Sequence, residues 1–234
     1  KNNINIFDIN NIYKHKYKNL LNQIGISNKL SCKTGYDLVT MPINKYVFKK
    51  KINFIGMTEY LGKLNKCETI MLMYGEKFSV APLTTHINLK YVHNIVNNAK
   101  LKRKLNLLIN LLKSKKYKLN YKILKFLCYN PHCSESNTIG YEDKLIKELI
   151  HKKFTEISGP YPADSAFSDI KKNTLFISTY HDQALIPYKL INKKGFNLTL
   201  GLSYRRLSPA HGTARDIKFK NKSDNASYIA CMLS

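Results

Sequence analysis

The sequence contains no Trp and only 4 Arg, against 35 Lys and 15 acidic residues. The resulting net charge of +24 points to a polyanion partner, because basic surfaces release counterions from phosphates. Nucleic-acid readers favour Arg, whose planar fork suits phosphates and base edges. Here the charge is Lys spread along the chain, and tracts such as 113–118 read as solvated helix faces and loops. With 25 Asn, abundant Ile and Tyr and only 10 Gly, the composition is that of AT-rich coding drift. A nucleic-acid-binding module is therefore the reading that only net charge favours. No apolar run approaches the ~20 residues of a membrane span. No N-terminal stretch joins a basic start to an apolar core and a small-residue cleavage site. The expectation is a soluble, cytoplasmic chain without a membrane partner. Five Cys (Cys32, Cys67, Cys128, Cys133 and Cys231) form no CxxC pair and are odd in number, which fits free thiols in a reducing compartment. GxGxxG, P-loop and HExxH motifs are also missing, so a nicotinamide cofactor would need something other than a Rossmann glycine turn.

What is present is globular: 44% hydrophobic and 23% charged residues, in a chain long enough to bury roughly 70–75% of its unfolded surface. Short β-rich runs at 37–40, 78–83, 123–129, 174–180 and 197–200 alternate with helical patterns near 59–65, 89–98, 101–114, 141–152 and 223–233. A further apolar-periodic stretch at 17–26 can form a helix. This alternation predicts an α/β fold with a largely parallel sheet.

Seven His occur. His15, His93 and His151 fall in helical or Lys-rich stretches and read as ordinary surface or core residues. His86, His132 and His181 each fall within one to three residues of the end of a separate β-rich run. Ligands of open α/β sheets bind at the carboxyl ends of strands, and three imidazoles delivered there can coordinate one divalent ion. The intervals between them match no local zinc signature, so spacing alone leaves the shared site open. Lys189, Arg205 and Arg206 are candidate anion clamps. Asp164 and Asp182 can hold a metal-ligand His or accept a proton; Asp164 can equally cap a helix.

The motifs taken in order carry a resemblance. They are Leu38-Val39-Thr40-Met41-Pro42-Ile43-Asn44-Lys45, Gly56-Met57-Thr58-Glu59-Tyr60, Thr84-Thr85-His86 and Asn130-Pro131-His132. Gly159-Pro160-Tyr161-Pro162-Ala163-Asp164, Tyr180-His181-Asp182-Gln183, Asn197-Leu198-Thr199-Leu200-Gly201 and His211-Gly212-Thr213-Ala214 follow. From about residue 17 to the end the chain resembles the 4-hydroxythreonine-4-phosphate dehydrogenase (PdxA) family of vitamin B6 biosynthesis.

The resemblance implies an isocitrate/isopropylmalate dehydrogenase-like fold of two α/β domains with a cleft between them, the first domain incomplete. Residues 1–44 with 182–234 would be the remnant of that first, cofactor-side domain. Residues 45–181 would form the second, with the metal ligands and the dimer interface. It implies NAD(P)-dependent oxidation of 4-phosphohydroxy-L-threonine, a small phosphorylated amino acid, followed by loss of carbon dioxide to give 3-amino-2-oxopropyl phosphate. The metal ligands would be His86, His132 and His181, holding Zn, Mg, Mn or Co. In a homodimer with shared active sites, His181 would serve the neighbouring chain's site. Thr58, Lys189, Asn197 and Arg206 would bind substrate, Gly212 and Thr213 the cofactor, and Asp182 or Asp164 would handle protons.

Three departures from the family pattern stand out. Met57 occupies the place of a substrate-contacting His. Cys133-Ser134-Glu135-Ser136 replaces a Gly-rich turn, losing residues that let the backbone bend sharply. Ala210 stands where Asp is usual before His211. The chain is also roughly a hundred residues shorter than the family norm, lacking an N-terminal Gly-Asp-Pro-rich segment. Met57 and the missing segment favour a second reading, a degenerate homologue that folds without turnover; the intact His trio, Lys189, Asn197 and Arg206 count against it.

Overall fold

The structure is a computed structural model that describes residues 12–234 apart from 49–50, 97, 214–216, 218–219 and 223. Ala214 of the His211 motif thus lies outside the described residues. Among the described residues there are eight strands: β1 (Leu38–Val39), β2 (Ile70–Gly75), β3 (Ser79–Pro82), β4 (Ile123–Leu127), β5 (Ile157–Tyr161), β6 (Thr174–Ser178), β7 (Gly195–Leu200) and β8 (Arg206–Pro209). The helices are α1 (Lys16–Thr34), α2 (Met57–Leu64), α3 (His93–Val96), α4 (Asn98–Leu112), α5 (Glu142–Lys153), α6 (His181–Ile191) and α7 (Ala226–Met232).

The strands form one sheet in the order β1-β8-β7-β2-β3-β6-β4-β5. β3, β6, β4 and β5 run parallel to one another, as does β1 to β8. β2 runs antiparallel to both β3 and β7, and β7 antiparallel to β8. The expected α/β class is present, but the sheet is mixed rather than largely parallel. The domain division expected from sequence puts β1, β7 and β8 on one side and β2 to β6 on the other. A six-residue ladder from Ile70 opposite Leu200 to Gly75 opposite Gly195 joins the two groups.

Side-chain alternation builds a core on both faces. Ile70 and Leu72 of β2, with Leu175 and Ile177 of β6, pack into a large cluster with α4 and α5. Met71, Met73 and Phe176 point the other way, onto Ala184, Leu185 and Tyr188 of α6. Helix α4 buries Leu101, Leu105, Leu108 and Ile109, the spacing of one helical face. A third cluster joins Ile24 of α1 and Leu61 of α2 to Leu202 and Tyr204.

These directions decide where chemistry can gather. The carboxyl ends of β3, β6, β4 and β5 share one edge of the sheet. Because β8 runs antiparallel to β3 through the intervening ladder, its first residue, Arg206, lies at that same edge.

Candidate active site

His86, His132 and His181 emerge from that edge on three adjacent strands, with β6 in the middle. Beyond the strands proper, the Leu83 N–H donates to Ser178 O at 2.8 Å and the Thr84 N–H to Thr179 O at 3.1 Å. The Thr84 hydroxyl also donates to Thr179 O at 2.6 Å. The two loops are therefore zipped together, and the His86 and His181 rings lie 5.7 Å apart, centroid to centroid. Both line a cavity of about 210 Å³ with Thr84, Thr85, Tyr180 and Asp182.

A carboxylate holds each ring. His86 Nδ1 lies 3.2 Å from Glu59 Oε1, and the Thr85 hydroxyl donates to that same oxygen. Burial opposes the charge on Glu59, yet bonds from His86, Thr85 and its own backbone hold the carboxyl down at about 2. An ionised carboxylate only accepts, so His86 Nδ1 carries the proton of this bond and Nε2 is left outside it. His181 repeats the arrangement, with Nδ1 2.6 Å from Asp182 Oδ1. Glu59 Oε2 is buried without a partner among the described residues. A Cβ on Gly56 would meet it at 2.3 Å and His86 Nδ1 at 2.8 Å, so glycine there is a matter of close approach rather than of φ.

His132 arrives differently. It lines a separate cavity of about 310 Å³ with Asn130, Asp164, Tyr180 and Gln183. Its side chain is 62% exposed and 4.0 Å from Glu135. The backbone from His132 to Asn137 is left-handed throughout, with φ between 46° and 74°. Such a conformation costs a non-glycine residue about 1–2 kcal/mol, and the run contains no glycine. The expected loss of glycines therefore has a structural counterpart: the turn bends as glycine would, with side chains in place. Asp164 is exposed on the turn after β5 and caps no helix.

Two imidazoles with free Nε2 atoms and carboxylate-held Nδ1 atoms suit a divalent cation. Among the described residues, no three His, Cys, Asp or Glu converge to hold one. One chain thus supplies the His86–His181 pair, with His132 lining a separate cavity. The resemblance implied instead that His181 joins the neighbouring chain's site.

Arg206, Asn197 and Thr58 gather beside this edge. Arg206 is 4% exposed and lines a cavity of about 190 Å³ with Asn197, Met57, Phe54, Lys45 and His211. Its Nε–H donates to Thr40 Oγ1 at 3.0 Å and an Nη1–H to Thr199 Oγ1 at 3.2 Å; an Nη2–H also reaches Thr40. Thr199 in turn contacts the Thr58 hydroxyl at 3.2 Å, which is how buried Thr58 joins the cluster. Among the described residues no carboxylate pairs with Arg206. Burial pushes its guanidinium down to about 10, against the pull of Tyr204, Cys231 and Glu59. Asn197 Oδ1 is buried without a partner among the described residues.

Lys189 does not reach this cavity. It is exposed on α6 and lines another hollow of about 490 Å³ with Lys193, Lys222 and Asp224. His211 lines both hollows. Gly212 and Thr213 are exposed, and a Cβ on Gly212 would meet nothing within 4 Å. Sequence reasoning missed the roles of Glu59, Gly56, Thr85, Thr40 and Thr199, although each lies inside a quoted motif. The signal for Glu59 was a carboxylate in the first turn of a helix beside a candidate substrate contact.

With this geometry in place, the family model of the pyridoxal phosphate biosynthetic protein PdxA matches residues 28–233. The chain belongs to the PdxA family. It is 42% identical over 197 residues to a 4-hydroxythreonine-4-phosphate dehydrogenase of Hydrogenobaculum sp., a match covering 82% of the chain and 62% of that relative. The chain thus spans under two thirds of the relative's length. The crystal structure of the Klebsiella pneumoniae 4-hydroxythreonine-4-phosphate dehydrogenase superposes with a TM-score of 0.72 at 25% identity, over 92% of this chain and 70% of that one. Isocitrate dehydrogenase from Methylococcus capsulatus shares the fold alone, with a TM-score of 0.51 at 11% identity over 88% of this chain and 68% of that one. No helix among the described residues is long and apolar enough to cross a membrane.

Proposed function

We propose that this PdxA-family chain oxidises and decarboxylates 4-phosphohydroxy-L-threonine to 3-amino-2-oxopropyl phosphate, as a homodimer using NAD or NADP and a divalent cation. The observation that carries the reading is Arg206, a buried guanidinium that forms no ion pair with a carboxylate among the described residues, with an Asn197 oxygen in the same cavity that has no described partner. A buried charge without a counter-ion is costly unless a ligand supplies one. An anionic substrate does so here.

Arg206 grips the anion with its remaining N–H donors, and Asn197 accepts from a substrate amine or hydroxyl. Thr40, Thr199 and Thr58 fix the guanidinium's plane, so the clamp is formed before substrate arrives. Lys189, on its exposed helix face, adds charge for the phosphate in the paired assembly. Glu59 and Asp182 hold His86 and His181 with Nε2 outward, and these with His132 would bind the cation. When bound, a divalent ion lowers the pKa of a ligated hydroxyl and polarises a ketone, and a nicotinamide accepts hydride. Asp164, exposed in the His132 cavity and without a described hydrogen bond, is free to take the hydroxyl proton, whereas Asp182 is occupied by His181. Gly212 and Thr213 lie on the cofactor side, in the domain made of 1–44 and 182–234.

Titration of 4-phosphohydroxy-L-threonine into the purified chain tests the reading. Saturable binding is expected, weakened at least 100-fold in Arg206→Met, together with NADH formation when NAD and the cation are supplied. Binding unchanged in Arg206→Met would overturn it. Met57, which puts a thioether with no N–H to donate on the wall of the Arg206 cavity, favours the second reading, a non-catalytic homologue. Tight binding with no NADH formed would select that one.

A further inference from the structure

A run of six left-handed non-glycine residues does not persist on its own, and the contacts that hold it converge on one side chain. Asp143, the second residue of α5, is 3% exposed and pairs with no cation among the described residues. Its Oδ1 accepts the Tyr129 N–H at 2.5 Å, and its Oδ2 accepts the Asn130 N–H at 3.0 Å and the Ser134 hydroxyl at 2.6 Å. The first two donors lie just after β4, ahead of the turn. The third lies within it and is fully buried. Asn130 braces the same point, its amide donating to Ser134 Oγ at 3.0 Å and to Glu142 Oε2 at 2.9 Å. His132 lies between the two grips and is itself unheld by either.

We propose that Asp143 is the positioning residue for His132, clamping the chain on both sides of it, at 129–130 and at Ser134, so that the imidazole stands at the sheet edge without the help of glycine. Only a carboxylate satisfies the three donors at once, because an amide would turn an N–H toward one of them. The first turn of a helix tolerates the charge, since its dipole is positive there. That Asp143 sets the turn stands on this geometry alone; that the turn serves metal binding rests on the function proposed above.

Hydrogen exchange of the purified chain, read peptide by peptide, together with Co²⁺ titration, separates the two claims. In Asp143→Asn, exchange across 129–137 should accelerate at least tenfold while β3 and β6 keep their protection. Co²⁺ affinity should fall about 10- to 100-fold, as for loss of a group that orients a ligand. Adding Cys133→Gly and Ser136→Gly should restore both, because glycine takes the left-handed backbone freely. Unchanged exchange at 129–137, or protection lost equally from β3 and β6, would overturn the positioning role. If His132→Ala leaves Co²⁺ binding as it was, the metal reading fails while the exchange data still decide on Asp143. Should Asp143→Asn not fold, Ser134→Ala removes one of the three donors and should accelerate exchange in the same segment, with no change refuting the clamp.

Discussion

His86 and His132 reach the same edge of one sheet by opposite means. His86 follows β3 through a short loop zipped to its neighbour, and a carboxylate 27 residues away in sequence fixes its ring. His132 follows β4 as the first residue of a left-handed turn; its ring is mostly exposed, and the fixing carboxylate holds the backbone instead. The contrast teaches that a carboxylate can position an imidazole at either level. Holding the ring sets the tautomer; holding the backbone sets only where the ring can be.

The largest expected effect falls on the His86 side. Gly56→Ala drives a methyl into Glu59 and His86 and should destabilise the fold by about 1–3 kcal/mol, the range for overpacking, read by urea unfolding. Glu59→Gln comes next. It should weaken Co²⁺ binding about 10- to 100-fold without altering hydrogen exchange at 129–137, the reverse of what Asp143→Asn does there. It also has a pH signature. The Glu59 carboxyl falls from an ordinary 4.5 to about 2 on folding. Its stabilisation is therefore complete above about pH 4.5 and lost as the pH falls toward 2. Urea titrations across that window should show a shallower acid loss in Glu59→Gln than in the unaltered chain. The smallest effect is a gain. Ser136→Gly relieves one left-handed residue and should raise stability by about 1 kcal/mol, seen as a higher Tm. Unchanged stability would mean that the turn is not strained in solution.

Much of this edge was legible in the sequence, because strand ends and motif residues coincide. β3, β4, β6 and β7 fall within a few residues of their predicted runs, and the three His follow three of them. β2 was not legible: Ile70-Met71-Leu72-Met73 is buried on both faces and shows no alternation. β5 hides behind Gly159-Pro160, β8 is four residues ending in Pro209, and α6 contains Pro187. Missing β2 is also why the sheet reads as largely parallel, since two of the three antiparallel pairings involve it. In the site, residue types pointed to Arg206 and Asn197 through the resemblance. The partnerships of Glu59 and Asp143 depend on contacts between distant segments, which spacing does not encode.

The β8-β7-β2-β3 ladder has one more consequence. Three strand spacings, about 14 Å in all, separate the backbone of the guanidinium's strand from that of the strand leading to His86. Hydrogen-bonded backbone does not stretch, so this interval behaves as a gauge. A molecule touching both ends is measured against the sheet itself, and only the reach of the side chains is left to adjust the fit.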